Sequence, residues 1–199
     1  MVAAERATGR LVVITGAQAA GKTTLGRAVA ALLPRAVHVD GDAIARFVIS
    51  GAIPFDLPPP PGATEQLFLR YEGALAVARV YRYAGFDAVV TDNIFEEQLT
   101  EFINLAFADE STDRLYLVML DPAVDVIWAR YEERPGGGYT DSITPEGLKE
   151  AVGRTARLGL WLDNGNQTIA DSSAEIVRRL DEATVTEHDV PRGRPRNVR

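Results

Sequence analysis

Short runs of consecutive apolar residues alternate along this chain with longer, helix-like segments. The runs Leu11 to Thr15, Ala36 to Val39, Ala88 to Thr91, Leu115 to Leu120 and Thr168 to Ala170 are aliphatic and β-branched, and they end near Gly, Asp or Ser. They lack the polar alternation of a strand with one wet face, so they predict buried strands of a parallel sheet covered by helices on both sides. The alternation of the two kinds of segment predicts an α/β fold. Lys22 to Leu33, stopped before Pro34, reads as a helix, and so does Thr64 to Ala84, closed by Gly85. Asp121-Pro122 predicts another helix start, with Asp121 capping free N–H groups and Pro122 at the first position, where its missing N–H costs nothing. That helix is expected to run to about Arg134, because Pro135-Gly136-Gly137-Gly138 cannot continue it. Further helices are expected from Thr144-Pro145 and from Ser173 or Ala174. Ile53 to Gly62, with Pro54 and Pro58 to Pro61, is a stiff connector that either borders a pocket or is a plain surface loop.

Composition narrows the class. With 199 residues, 46% hydrophobic and 25% charged, the chain is expected to form one domain over residues 1–185 and not a disordered ensemble. Residues 186–199 form a basic tail, with Arg192, Arg194, Arg196 and Arg199 among Pro and Gly, expected to be solvated and disordered. There is no cysteine, which excludes disulfides, thiolate zinc sites, iron–sulfur clusters and cysteine nucleophiles, and two histidines argue against a histidine metal site. Glu5 and Arg6 interrupt the amino-terminal region where a signal peptide would need an apolar stretch, and no apolar run approaches ~18 residues; a cytoplasmic protein is expected. Lys and Arg total 21 against 28 Asp and Glu, a net charge of -7, so the body should repel nucleic acid and anionic membrane.

The most informative stretch is Gly16-Ala17-Gln18-Ala19-Ala20-Gly21-Lys22-Thr23, followed by Thr24, which matches the phosphate-loop pattern GxxxxGK[ST] between a predicted strand and a predicted helix. Glycines let the backbone curl so that its N–H groups face an anion at the helix amino terminus, where the peptide dipoles also favour negative charge. Lys22 can then reach the β- and γ-phosphates and Thr23 can offer a hydroxyl to Mg²⁺. Three more carboxylates, Asp40, Asp42 and Asp92, each follow an apolar run, which places them at the carboxyl edge of the sheet, where open α/β folds bind ligands. Arg46, four residues after Asp42, is expected on the same helical face, either holding a substrate or in an ordinary ion pair with Asp42. Arg130 and Arg134 are likewise spaced for one face, just before the glycine-rich stretch, whose flexibility suits a lid over about residues 130–142. Arg154 and Arg157 are weaker candidates, and Trp128 and Trp161 read as core packing more than as a base-stacking platform.

In GAQAAGKTT, in Asp40-Gly41-Asp42 after the second strand, in Asp92 after the third and in the arginines before the glycine-rich stretch, the chain resembles the P-loop kinases of small molecules. That group includes chloramphenicol phosphotransferase, gluconate kinase and adenylylsulfate kinase, and the likeness covers roughly Arg10 to Leu180. The resemblance implies a three-layer α/β/α sandwich around a mainly parallel five-stranded sheet of order 2-3-1-4-5, ATP with Mg²⁺, and transfer of the γ-phosphoryl group to a hydroxyl. It implies that Asp42, with Asp40 as the substitute, orients the acceptor hydroxyl, and that Asp92 holds Mg²⁺ through water. Arg130 and Arg134 would stabilise the moving phosphate, since guanidinium groups fork onto phosphate oxygens as lysine cannot. Gln18 departs from the small residues usual at its position in chloramphenicol phosphotransferase-like loops, and Leu57 to Gly62 matches no substrate loop, so an antibiotic, a sugar acid and a biosynthetic intermediate all fit as acceptor. Two other classes remain open. A nucleotide-dependent switch would use the same loop without an acceptor, and a polynucleotide 5′-kinase would need a basic groove, for which only the tail has the charge.

Overall fold

The computed structural model describes residues 7–133 and 138–191. Six strands form one sheet: β1 (Leu11–Gly16), β2 (Ala36–Asp40), β3 (Asp87–Thr91), β4 (Leu115–Leu120), β5 (Leu160–Leu162) and β6 (Thr184–Val185). The order is β2-β3-β1-β4-β5, all parallel, and β6 adds antiparallel to the first half of β4 while β5 takes the second half. Every residue of β1 is buried, the expected state of a central strand covered on both faces.

Among the described residues, seven α-helices complete the layers: α1 (Lys22–Leu32), α2 (Gly41–Ala45), α3 (Ala63–Tyr83), α4 (Glu97–Phe107), α5 (Val124–Glu132), α6 (Pro145–Arg154) and α7 (Ile169–Arg178). Side chains of β1 divide by parity. Leu11 and Val13 join the core under α3 and α4, with Phe68, Tyr71 and Phe102, whereas Val12 and Ile14 join the core under α1 and α7, with Leu25, Val29 and Ile176. A third cluster, built on Ala17, Met119, Ile127, Leu148 and Val152, packs α5 and α6 at the carboxyl end of the sheet. Past residue 185 the chain stays on the body: Thr186 and Asp189 close a capping box and Val190 is buried in the α3–α4 core. The arginine-rich end, 192–199, lies outside the described residues.

Several local expectations change. The fifth strand is Leu160–Leu162, and Thr168 to Ala170 is a helix start, where the Thr168 hydroxyl accepts from the Asp171 N–H and α7 begins at Ile169, ahead of Ser173. Asp121 does not cap α5. Its carboxylate is taken by the Lys149 ammonium, and Ala123 stands at the cap. Thr144-Pro145 does open α6, the threonine accepting from Gly147 N–H at 3.1 Å. The helix α4 has no counterpart among the sequence expectations, although Leu99, Phe102, Ile103 and Ala106 give it helical spacing and are all buried.

Gly26 sets how closely α1 lies on the sheet: a β-carbon there would stand 2.4 Å from Thr91 Cγ2 and 2.8 Å from His38 Nε2. Gly26→Ala should therefore lower stability by about 1–3 kcal/mol, the cost of overpacking, despite the helix propensity gained; urea unfolding measures it. His38, mostly shielded, shares a 2.9 Å hydrogen bond with Thr91 Oγ1, and burial pulls its pKa below the usual imidazole value. The neutral ring is the one the fold favours, so its contribution is complete above about pH 6.5 and is lost as pH falls through the lower folded value. His38→Gln should make the drop in unfolding free energy between neutral pH and pH ~5 shallower than in the wild type, as compared by urea titration at each pH.

Candidate phosphate-binding and acceptor site

The carboxyl edge of the sheet is where β1 turns into α1. A side chain at Gly16 would meet Leu120 O at 2.5 Å, so the loop starts pressed against β4. Ala19, at φ 64°, and Gly21, at φ 100°, take left-handed conformations that curl the backbone, and Gly21 leads directly into α1 with no side chain capping its N–H groups. The first N–H groups of a helix lack intrahelical acceptors, so this turn has the form that the sequence motif calls for in an anion cradle. Lys22 Nζ donates to Ala17 O at 2.8 Å, which keeps its ammonium over the loop.

A cleft of roughly 910 Å³ opens beside this loop. It is lined by Gln18, Ala19, Gly21, Lys22, Thr23 and Thr24 on one side and by Asp42, Arg46, Asn93 and Arg130 around the others. Of the carboxylates expected at the edge, Asp42 faces the cleft with its side chain 53% exposed. Asp40 instead caps α2, accepting from Asp42 N–H at 3.1 Å. Arg46 is at the end of the five-residue α2, not on a continuing helical face, and the cation beside Asp42 is Arg70 at 3.9 Å. Arg70 comes from α3 and is the main residue that the sequence reading missed.

Asp92 is buried. Its Oδ1 accepts from Arg70 Nη2 at 2.7 Å and from the Asn93 N–H at 2.7 Å, while Oδ2 lies against Gly41, where a β-carbon would come within 1.9 Å. Burial pushes its carboxyl up to about 6, against the pull of the Arg70 guanidinium and of the Asn93 N–H. Asp92 Oδ2, Asn93 Oδ1 and Arg70 Nε are buried without a hydrogen-bond partner among the described residues. Polar atoms left so are costly unless something arrives to satisfy them.

The opposite rim is held by Arg130 and by a residue not foreseen, Asn164. Arg130 donates to Ala20 O at 3.1 Å and to Asn164 O at 2.8 Å; Asn164 Nδ2 donates to the same Ala20 carbonyl at 2.9 Å. Gln167, Ile169 and Ser172 extend this wall. Arg134 lies outside the described residues, as do 135–137 of the expected lid. Beyond them, Gly138 lies against the Gln18 side chain and Tyr139 donates to Gln18 O at 2.7 Å, so the chain after the glycines rests on the phosphate loop.

Other candidates lie elsewhere. Arg154 pairs with Glu96 at 2.6 Å and Arg157 covers the Trp161 ring at 4.3 Å; neither lines the cleft. Trp161 packs beside the third core cluster, but Trp128 is 38% exposed and donates to Glu146, which corrects its reading as core. The proline-rich connector does not line the cleft either. Its Asp56 accepts from Thr140 and Ser142, tying it to the chain that follows the glycines. No group of three or more His, Cys, Asp or Glu among the described residues could hold a metal ion by itself.

No protein-family model matches the chain, and no curated protein sequence matches it. Solved structures do match its fold. A sugar kinase from Janibacter sp. HTCC2649, unliganded, aligns over 92% of this chain and 99% of its own at 18% identity and a TM-score of 0.64. The Mycobacterium tuberculosis APS kinase, in complex with AMPPNP and APS, aligns over 87% and 98% at 18% identity and 0.66. The Deinococcus radiodurans tunicamycin resistance protein aligns over 86% and 95% at 14% identity and 0.62. At these identities the likeness establishes the fold: the chain has the parallel 2-3-1-4-5 sheet and flanking helices of the P-loop kinases.

Proposed function

We propose that the protein is an ATP-dependent kinase that transfers the γ-phosphoryl group to a hydroxyl of a small molecule. The observation that carries this reading is one cleft with a phosphate loop, Lys22 and Thr23 on one side and an exposed carboxylate, Asp42, on the other. Phosphoryl transfer asks a protein for placement and charge neutralisation more than for covalent chemistry, and both kinds of group are present. Names of the fold neighbours, a sugar kinase and an APS kinase among them, agree with this class of reaction.

In this reading the N–H groups opening α1 hold the phosphates, and Lys22 exchanges the Ala17 carbonyl for phosphate oxygens. Thr23, on the cleft wall, fits Mg²⁺, which would neutralise charge on the β- and γ-phosphoryl oxygens; Asp92, buried against Gly41 and outside the cleft lining, is assigned to it through water. Arg130, fixed at Ala20 and Asn164, turns the rest of its guanidinium to the transferring group, and Arg134 is assigned beside it. Asp42 accepts the proton of the acceptor hydroxyl as its oxygen bonds to phosphorus and the bond from phosphorus to the ADP oxygen breaks. Arg46 grips the acceptor. Asp40 is left to cap α2, which is why Asp42 is preferred to it.

A panel of metabolites and antibiotics, assayed for acceptor-dependent ADP release with Mg-ATP, tests the proposal; hydrolysis that no acceptor accelerates would favour a nucleotide switch instead. Lys22→Ala should abolish turnover with an unchanged circular dichroism spectrum, because the ammonium is not a core group. Asp42→Asn should slow transfer by ~10²–10⁴-fold with nucleotide affinity nearly constant, the range for losing a positioned base. The lower end is expected, since little proton transfer has occurred in a dissociative transition state. Asp92→Asn should instead raise the Mg²⁺ requirement. Turnover measured against Mg²⁺ and acceptor for both variants, with Asp40→Asn as a third, separates the roles; a shift in Mg²⁺ dependence alone for Asp42→Asn would reverse them.

A further inference from the structure

The helix α3 is not amphipathic in the usual way. One side carries Leu67, Phe68, Tyr71, Ala74 and Ala78 into the core, as a helix on a sheet should. The side pointing directly away carries Leu69, Ala76, Val80 and Tyr83, at spacings of seven, four and three residues, which places all four within one narrow stripe. Leu69 is 58% exposed, Val80 67% and Tyr83 54%. Tyr83 keeps its hydroxyl on Asp109 at 2.8 Å, so its orientation is fixed while its ring stays at the surface. A helix apolar on two opposite sides has two surfaces to bury, and among the described residues only one is covered.

From the charges beside this stripe we infer that its occupant is a second copy of the same chain, paired antiparallel across a two-fold axis at Ala76. Two-fold contacts are isologous, so the stripe must complement itself when reversed. Most of it does. Reversal about Ala76 sets Leu69 of one protomer against Tyr83 of its partner and Ala76 against Ala76, where the small side chain lets the backbones approach, and brings Val80 level with the partner's Glu72 and Gly73. The same operation brings Glu72 of each protomer alongside Arg79 of the other, twice by symmetry. Both charges are exposed and neither has an ion-pair partner within the protomer among the described residues. A recess of roughly 300 Å³ between α3 and α4, with Glu72, Ala76 and Arg79 on its rim, provides room for partner side chains beside the axis. A parallel pairing would set Glu72 beside Glu72 and Arg79 beside Arg79, which like-charge repulsion disfavours.

One helix pair buries at most about 1,200 Å², so the dimer is expected to be concentration-dependent, with a micromolar dissociation constant. Sedimentation velocity over a concentration series should show monomer passing to dimer. Val80→Asp should leave monomer throughout, with an unchanged circular dichroism spectrum. Arg79→Glu should weaken association about tenfold, and adding Glu72→Arg should restore most of the loss, since the reversed charges meet again. The chain has no cysteine, so Ala76→Cys is a direct geometric test. Two introduced thiols across the axis should form an intermolecular disulfide under mild oxidation, and Leu32→Cys, on an exposed part of α1, should not. A wild type that stays monomeric at every concentration would assign the stripe to a different partner and overturn the inference. So would a dimer indifferent to Val80→Asp, or an Ala76→Cys protein that cross-links no faster than the Leu32→Cys control.

Discussion

The N–H groups that open α1 have no partner inside the helix, and the direction in which they point fixes where the rest of the site has to be built. They face the carboxyl edge because β1 runs into the loop without slack: Gly16 touches Leu120 O, and Gly21 turns at a positive φ. Ala17 and Ala20 are buried, and Ala17 belongs to the cluster that packs α5 and α6. The candidate anion cradle is therefore supported by core packing as well as by the contacts that Tyr139 and Asn164 make with the loop. That matters energetically, because dipoles already aimed at a charge cost no reorganisation when the charge arrives.

The same edge is fastened from neighbouring strands through main-chain atoms. Thr15 at the end of β1 donates to Ile94 O at 2.8 Å and accepts from Ile94 N–H at 2.9 Å, which locks the segment after β3 to the root of the phosphate loop. Tyr71 donates to Asn93 O at 2.8 Å from α3, one residue beyond Arg70. On the far side Ala20 O receives Arg130 and Asn164. Thus α3 contributes one side to the core, two neighbouring residues to the segment after β3, and an apolar stripe to the outside. The same 21-residue helix carries Arg70, which lies 2.7 Å from Asp92 and 3.9 Å from Asp42.

How much of this was legible from sequence follows from how local each feature is. The first four strands are long aliphatic runs, and the phosphate loop is a contiguous motif whose geometry depends on its own glycines. Both were readable, and with them the sheet order that the family resemblance implies. The fifth strand was not, because a three-residue strand, Leu160-Trp161-Leu162, carries too little pattern to compete with Thr168 to Ala170. That error hid Asn164: placing β5 correctly puts Asp163-Asn164 at the carboxyl edge, the position that drew attention to Asp92. Arg70 was invisible for a different reason. It is separated from Asp92 by 22 residues, and it reads as one polar residue in an otherwise apolar stretch, Leu67-Phe68-Leu69-Arg70-Tyr71, until the packing of α3 on the sheet brings the two together. Asp121 misled because Asp-Pro is a good helix opening, yet Lys149 from α6 takes that carboxylate.

If the cleft takes a nucleotide, as proposed, the ligand must approach an acidic chain, and the residues lining the cleft offset little of that charge. Of the residues lining it, Lys22, Arg46 and Arg130 are cations and Asp42 and Glu133 are anions, an excess of one. Arg70 adds little to the balance because Asp92 sits on it at 2.7 Å. Attraction at long range is correspondingly weak, and the net charge of -7 works against it. What remains is short-range and directional: the N–H cradle at α1, a lysine already poised over it, and a guanidinium held at the rim by main-chain carbonyls. Such contacts would favour a phosphate chain that fits the curl of the loop over anions in general.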